Sequence, residues 1–365
     1  MRNARILVAP LDWGLGHAAR CVPIISALLE RGAQPVIAAD GGPLALLRAE
    51  FPELENVRLP GLAIRYAKGR SQLWRMALQF PAMVQQVQAE RRAFDRLRRS
   101  LRLDAVISDQ RFGVRADDLP SVLVTHQVFP FTPLAQGALR KVNLRHIERF
   151  DRCWVMDMPE APGLAGELSH PTAGAGQTPL PANARYIGAL SRLGGTSQGK
   201  EVGPYTVVAV ISGPEPQRTL FERELLAQLQ RTPGNHVLLR GVPQLAQETG
   251  EEHIGNVRVL PHADARALAD LLCSAQLIVS RSGYTTLMDL AILGRTALIV
   301  PTPGQEEQEY LGRLHSSTGR FIVQRQGAVD LAQAIRSAAT MVQPVSMAPG
   351  RWLQDTLDDL HALLR

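Results

Sequence analysis

Short runs of apolar and β-branched residues alternate with amphipathic stretches along almost the whole chain. That alternation restricts the fold to parallel sheets flanked by crossover helices, an α/β architecture. Strand-like runs are expected at 5–9, 34–39, 105–108, 121–125, 152–156 and 184–187, and again at 206–211, 236–240, 257–260, 277–280 and 296–300. The stretch 191–204 is rich in Gly and Ser and lacks apolar periodicity, so it reads as a hinge. The expected division is a first domain at 1–190, a linker at 191–204, a second domain at 205–345 and a closing helix at 346–365. A length of 365 residues suits two such domains, each able to bury its own core. A second stretch rich in Pro, Gly and Ala, 171–181, is too short to be a domain.

An apolar fraction of 45% and a charged fraction of 20% belong to a globular protein, and no apolar run approaches the roughly 18 residues of a membrane span. The first ten residues begin basic but run quickly into Asp12 and a glycine-rich turn, which marks a buried first strand instead of a signal peptide. Cys21, Cys153 and Cys273 are odd in number and far apart, as expected of reduced thiols in the cytoplasm. The net charge of +6 admits nucleic acid, anionic lipid or phosphorylated small molecules. Between Arg65 and Arg102, ten Lys or Arg face only Glu90 and Asp95. Two readings stay open for this stretch: a solvated helical face, or a patch that rests on an anionic membrane or gathers an anionic acceptor. Nucleic acid is set aside, since no zinc, helix-turn-helix or aromatic-basic signature appears. The expected location is cytoplasmic, with peripheral contact at the inner membrane face left open.

Ligands of doubly wound sheets bind at the carboxyl ends of strands, and each half has a strand-to-helix turn with chemistry in it. The first contains Gly14, Gly16 and His17. Glycines allow a sharp turn and close backbone approach, and an imidazole there can take a proton from a hydroxyl near neutral pH, or simply cap its helix. Asp12, Asp109 and His126 are further polar residues at the ends of strands in this half, and Asp109 is the second candidate for catalysis or acceptor orientation. In the second half, Arg281, Ser282 and Gly283 open a helix whose N-terminus suits a diphosphate. Thr285 follows, and Asp289 lies about a turn further, placed to accept ribose hydroxyls. Gln305, Glu306, Glu307 and Gln308 offer hydrogen bonds to a sugar ring at the next strand end, and Arg240 closes another strand. Asp289, Glu306 and Glu307 also have a plain reading as solvated carboxylates.

The block 280–310 resembles the C-terminal signature of glycosyltransferase family 28. The Arg-Ser-Gly turn at 281–283, Asp289 at the ribose-binding acid, Val300-Pro301 at the strand end and Gln308 at the donor glutamine agree in order. Gly16 and His17 keep the spacing of the family's N-terminal turn. Ser212 and Gly213 resemble its phosphate-side turn, although Pro214, Glu215 and Pro216 replace the usual glycine and serine. The resemblance implies a GT-B fold, with two Rossmann-like doubly wound domains facing a cleft. It also implies inverting transfer from a nucleoside diphosphate sugar, with a UDP-sugar expected, to a glycan, lipid-linked or small-molecule hydroxyl.

On that reading His17 is the base, Arg281, Ser282 and the helix start at Gly283 hold the diphosphate, Asp289 fixes the ribose, and residues 305–308 read the sugar. Gly14, Gly16, Ser212, Gly213, Thr285 and Arg240 complete the expected donor contacts. The donor is a substrate, so no cofactor is expected. No Asp-x-Asp triplet occurs, so a metal-independent reaction is expected. The run 14–21 also resembles the UDP-sugar hydrolases of pseudaminic acid synthesis, which makes hydrolysis the second reading. A nucleotide-sugar-binding subunit without turnover is the third, and the presence of His17 and the 281–308 block in one chain weighs against it.

Overall fold

In the computed structural model, the first sheet has seven parallel strands in the order β3-β2-β1-β4-β5-β6-β7. They are β1 (Arg5–Pro10), β2 (Gln34–Ala39), β3 (Asn56–Arg58), β4 (Ala105–Asp109), β5 (Ser121–Thr125), β6 (Arg152–Val155) and β7 (Ala184–Tyr186). The structure describes residues 1–12, 14–61, 72–131, 136–171, 178–194, 203–242, 250–347 and 351–364, without the side chains of 72–84 and 86. Helices α1 (Leu15–Glu30), α2 (Gly41–Glu50), α3 (Gln72–Leu101) and α4 (Gln136–Ile147) cross between strands. β1, β2, β4 and β5 are buried over nearly their whole length, because helices cover both faces of a parallel sheet. That two-sided burial is why they read as continuous apolar runs. Phe94 of α3 is fully buried among Leu7, Val36, Val106 and Val114.

The second sheet also has seven strands, in the order β10-β11-β9-β8-β12-β13-β14. They are β8 (Tyr205–Val210), β9 (Asn235–Leu239), β10 (Glu252–Ile254), β11 (Val257–Leu260), β12 (Ala275–Ser280), β13 (Leu298–Ile299) and β14 (Ile322–Val323). Only the β10–β11 pair is antiparallel. The helices are α5 (Gln217–Leu229), α6 (Ala265–Cys273), α7 (Tyr284–Leu293), α8 (Glu306–Ser317) and α9 (Leu331–Thr340). α7 ends at Gly294 with φ 63°, and a Cβ there would lie 2.9 Å from the Pro344 carbonyl oxygen. The returning segment closes this helix end: the Met347 N–H donates to Ala291 O at 2.9 Å and the Ser346 hydroxyl to Ile292 O.

The chain divides into two compact units, Met1–Leu190 with Pro349–Arg365, and Ser191–Ala348. The last helix, α10 (Trp352–Leu363), is part of the first unit. Its Trp352 ring packs on Gly188, where a Cβ would come within 2.7 Å of it, and its Asp358 and Asp359 pair with Arg31 and Arg152. Of the expected hinge, residues 195–202 lie outside the described residues, as do 172–177 of the Pro/Gly/Ala stretch. Ser191 and Leu193, at the hinge's start, are buried.

The basic stretch falls on α3 and the segment before it. Residues 62–71 and the side chains of 72–84 lie outside the described residues, so the membrane reading is untouched there. Further along, Arg91 pairs with Asp117 at 3.1 Å, Arg98 with Asp95 and Asp118 at 3.0 and 2.6 Å, and buried Glu90 with Arg111 at 2.6 Å. In that part Arg91 and Arg98 are paired, while Arg92, Arg96 and Arg99 lie on the solvated face. No helix among the described residues is long and apolar enough to cross a membrane. The three cysteines are buried free thiols.

Candidate active site

In the first sheet the strand order reverses between β1 and β4, which pair in register up to Pro10 and Asp109. This switch point is where doubly wound sheets bind ligands. Gly14 takes φ 86°, which a side chain would strain, and turns the chain from β1 into α1, so His17 emerges in the first turn of the helix. Asp109 ends β4 with no exposed surface, and its Oδ2 lies 2.8 Å from His17 Nδ1. Arg20, one turn along the same face of α1, donates through Nε to Asp109 Oδ2 at 2.9 Å and through Nη2 to Oδ1. Its Nη2 also lies 2.7 Å from His17 Nδ1, and its Nη1 lies 3.3 Å from Nδ1 of His126.

Burial alone would raise the Asp109 carboxyl, but the Arg20 guanidinium and His17 outweigh it and hold its pKa at about 2. Burial, with the Arg20 charge added, pushes the His17 imidazole below its ordinary range despite Asp109. Nδ1 thus meets an acceptor, the ionised Asp109, and a donor, Arg20 Nη2; since Nη2 already donates to Asp109 Oδ1, we assign the Nδ1 proton to the bond with Asp109 Oδ2. Nε2 then carries the lone pair of a base. Asp12 stands apart from this cluster, accepting the Asp40 N–H at 3.4 Å and facing Gly61.

In the second sheet β8, β12 and β13 lie side by side, and the turns leaving them carry most of the expected donor contacts. Gly283 caps α7 without a side-chain hydrogen bond, and a Cβ there would meet nothing within 4 Å. Such a helix start favours an anion. Gly213, with φ 107°, turns the chain after β8; a Cβ there would lie 3.9 Å from Thr302 Oγ1 in the turn after β13. Gln308 braces that turn: its Oε1 accepts the Thr302 N–H at 2.9 Å, and its carbonyl accepts the Ser282 hydroxyl at 2.8 Å. Thr302 Oγ1 and Gln305 Oε1 are buried with no hydrogen-bond partner among the described residues. Such atoms cost about 1–3 kcal/mol each unless a ligand or water meets them. Glu306 opens α8, and burial together with Glu309 raises its pKa. Asp289, on α7, accepts the Ser191 hydroxyl at 2.5 Å through Oδ1. Burial pushes its pKa up to about 6, against the pull of Ser191 and Arg192.

Three expectations change. The Arg281 guanidinium is fully buried, 3.9 Å over the Phe221 ring, and donates to the carbonyls of Gln217, Val300 and Pro301 and to Gln326 Oε1. It braces the turns from inside and does not face a phosphate. Arg240 is held through Nε by Glu222 at 2.7 Å and through Nη2 by Glu252 at 2.5 Å, so its charge is balanced within the unit. Gly14 and Gly16 belong to the His17 turn of the first unit, whereas the other expected donor contacts are in the second. Sequence reasoning missed Arg20 and Ser191. Arg20 stands three residues after His17, a spacing that puts both on one helix face; no local signal links Ser191 to Asp289.

Two doubly wound units, each with chemistry at the carboxyl ends of its strands, define a GT-B protein. Residues 216–343 match the model for the glycosyltransferase family 28 C-terminal domain, so the chain is family 28-like in its second unit. Two curated relatives carry the name UDP-N-acetylglucosamine–N-acetylmuramyl-(pentapeptide) pyrophosphoryl-undecaprenol N-acetylglucosamine transferase. The protein from Methylobacterium nodulans is 30% identical over 103 residues, 26% of this chain and 27% of its own. The one from Desulforamulus reducens is 27% identical over 94 residues, 25% of each chain. The chain thus spans about a quarter of the length of these relatives. Among solved structures, Acinetobacter baumannii MurG superposes with a TM-score of 0.56 at 13% identity over 99% of both chains. The glycosyltransferase SnogD from Streptomyces nogalater gives 0.60 at 19% over 100% of both. Spinosyn rhamnosyltransferase SpnG complexed with thymidine diphosphate gives 0.60 at 19% over 98% of this chain and 96% of its own. At these identities the superpositions show the fold.

Proposed function

We propose that the chain is a glycosyltransferase that moves a sugar from a nucleoside diphosphate sugar, most simply a UDP-sugar, to an acceptor hydroxyl with inversion. The observation that carries this reading is a histidine–aspartate pair at one sheet's switch point in a chain whose other sheet bears a family 28 domain with an uncapped helix start. His17 Nε2 takes the acceptor proton as oxygen attacks the anomeric carbon, and the leaving diphosphate meets the N-terminus of α7 and the turn at Ser212 and Gly213. The second oxygen of Asp289 accepts ribose hydroxyls, Thr285 stands in the first turn of α7 beside the phosphates, and Gln305, Glu306 and Gln308 read the sugar. The names of the curated relatives favour UDP-N-acetylglucosamine and a lipid-linked acceptor, while thymidine diphosphate in a GT-B neighbour keeps the base open. Helix dipole and backbone N–H groups can meet the diphosphate charge, so we propose a metal-independent reaction at the cytoplasmic membrane face. The test is UDP release from a panel of UDP-sugars, with and without a lipid or glycan extract, for the wild type, His17→Ala and Asp289→Ala. Release that needs the extract and is lost in both variants supports the transferase. Equal release without it makes the protein a hydrolase, and rescue of chelator-treated protein by Mg²⁺ or Mn²⁺ overturns metal independence.

A further inference from the structure

We propose that Arg20 is the positioning residue of the His17 base, its guanidinium fixing the Asp109 carboxylate and, through it, the orientation and tautomer of the imidazole. One side chain, 2% exposed, touches three groups from three elements: His17 on its own helix, Asp109 at the end of β4 and His126 just after β5. A fully buried carboxylate without a cation would take up a proton and cease to be a fixed acceptor. The Arg20 fork spans both Asp109 oxygens, so the carboxylate plane cannot rotate. A lysine, a point charge, would hold one oxygen and leave the other to turn. With Oδ2 held in place, Nδ1–H keeps that oxygen as its acceptor against the competing Arg20 Nη2 donor, and Nε2 is left to receive a proton.

The same guanidinium, 2.7 Å from Nδ1, opposes a second proton on the ring that Asp109 would otherwise invite. Arg20 therefore does two separable things: its charge keeps His17 neutral, and its fork keeps the ring oriented. The charged and titratable groups around His17 are Arg20, Asp109 and His126, and the buried Cys21 thiol beside Arg20 feels Arg20 and Asp109 as well.

The inference rests on reading His17 as the base, and its test reads the ring itself, with no donor or acceptor present. The full chain is labelled with ¹⁵N-histidine and titrated by long-range ¹H–¹⁵N NMR as wild type, Arg20→Gln and Arg20→Lys, with His17→Gln assigning the signal. In the wild type, His17 is expected to titrate below the ordinary value of about 6.5 and to show the Nδ1–H tautomer. Arg20→Gln is expected to raise the apparent pKa of the His17–Asp109 pair by about one unit or more, since the two then share a proton with no cation opposing it. Arg20→Lys is expected to keep the low pKa but give mixed tautomers. An unchanged pKa and tautomer in folded Arg20→Gln overturns the proposal. If that variant does not fold, a wild-type tautomer in Arg20→Lys overturns it. Failure to release UDP from any donor leaves these readings standing and bears on the transferase alone.

Discussion

The Ser191 hydroxyl donates to Oδ1 of Asp289 across 98 residues of sequence, at 2.5 Å, and that bond opposes the burial that raises the carboxyl. An Asp289 pKa of about 6 lies above the ordinary carboxyl value of 3.8, so the folded protein binds this proton more tightly than the unfolded chain does. The stability it contributes is full below about pH 4 and is lost as pH rises through 6. Asp289→Asn is therefore expected to be more stable than wild type at pH 8, by up to about 3 kcal/mol in urea unfolding, with the difference shrinking toward pH 4. In the other direction, the ionised carboxylate is the ribose acceptor, so donor KM is expected to rise below pH 6. Ser191→Ala removes a bond that favours the ionised form, and should move that inflection upward. A donor KM flat from pH 5 to 8 would exclude the ribose role.

The His17–Asp109 pair predicts a kinetic split. Asp109, with a pKa of about 2, stays ionised through any practical assay. His17→Ala is expected to lower kcat about 10²- to 10⁴-fold with donor KM nearly unchanged. Wild-type kcat should fall on the acid side with an apparent pKa below that of an ordinary histidine, following the direction of the His17 shift. Asp109→Asn leaves the buried Arg20 charge without its anion, and should cost about 3–5 kcal/mol of stability. The depressed pKa also means that the stability Asp109 contributes is present above about pH 4 and is lost as pH falls toward 2. Thermal unfolding of both proteins at pH 7 and pH 3 checks this, with the gap expected to narrow at pH 3.

Arg281 shows how a sequence pattern and a structure part company. In the chain it stands directly before Ser282 and Gly283 at a helix start, where a cation would suit a phosphate, yet its side chain points into the core. Arg281→Met is expected to lower stability by about 3 kcal/mol, since it takes the donor away from the carbonyls of Gln217, Val300 and Pro301 and from Gln326 Oε1. Donor KM should change mainly as those turns loosen. A variant of wild-type stability that loses donor binding would instead put the guanidinium on the phosphate.

Most parallel strands of both sheets were legible because burial on two faces writes an apolar run, as in β1, β2, β5 and β12. β3, β10 and β14 were not, since two or three residues such as Glu252, His253 and Ile254 leave no pattern to read. His17 could be found from its local turn, and Asp109 from the end of its strand. Arg20 acquires a role only when β4 brings Asp109 to it from 89 residues away. Ser191, in a stretch whose composition reads as hinge, is recruited by α7 in the same non-local way.

The basic groove along α4 yields the remaining prediction. A cavity of about 700 Å³ runs along α4 and is lined by Gln136, Arg140, Lys141, Arg145, Glu148 and Thr178, among others. The three cations form no ion pair with any described residue, and the Arg140 guanidinium lies 5.9 Å from the rings of Phe129 and Phe131. One carboxylate cannot balance them, so the groove attracts anions, and an exposed basic surface binds an anionic bilayer by about 1 kcal/mol per cation. Co-sedimentation with phosphatidylglycerol vesicles is expected at low salt and should be lost at 0.5 M NaCl and in Lys141→Glu/Arg145→Glu. Phosphatidylcholine vesicles should leave the protein in the supernatant, because the attraction is electrostatic and screened within about 10 Å at 0.1 M salt. Equal sedimentation of the double variant would place any membrane contact elsewhere, and no sedimentation at low salt would remove peripheral membrane binding from the proposal.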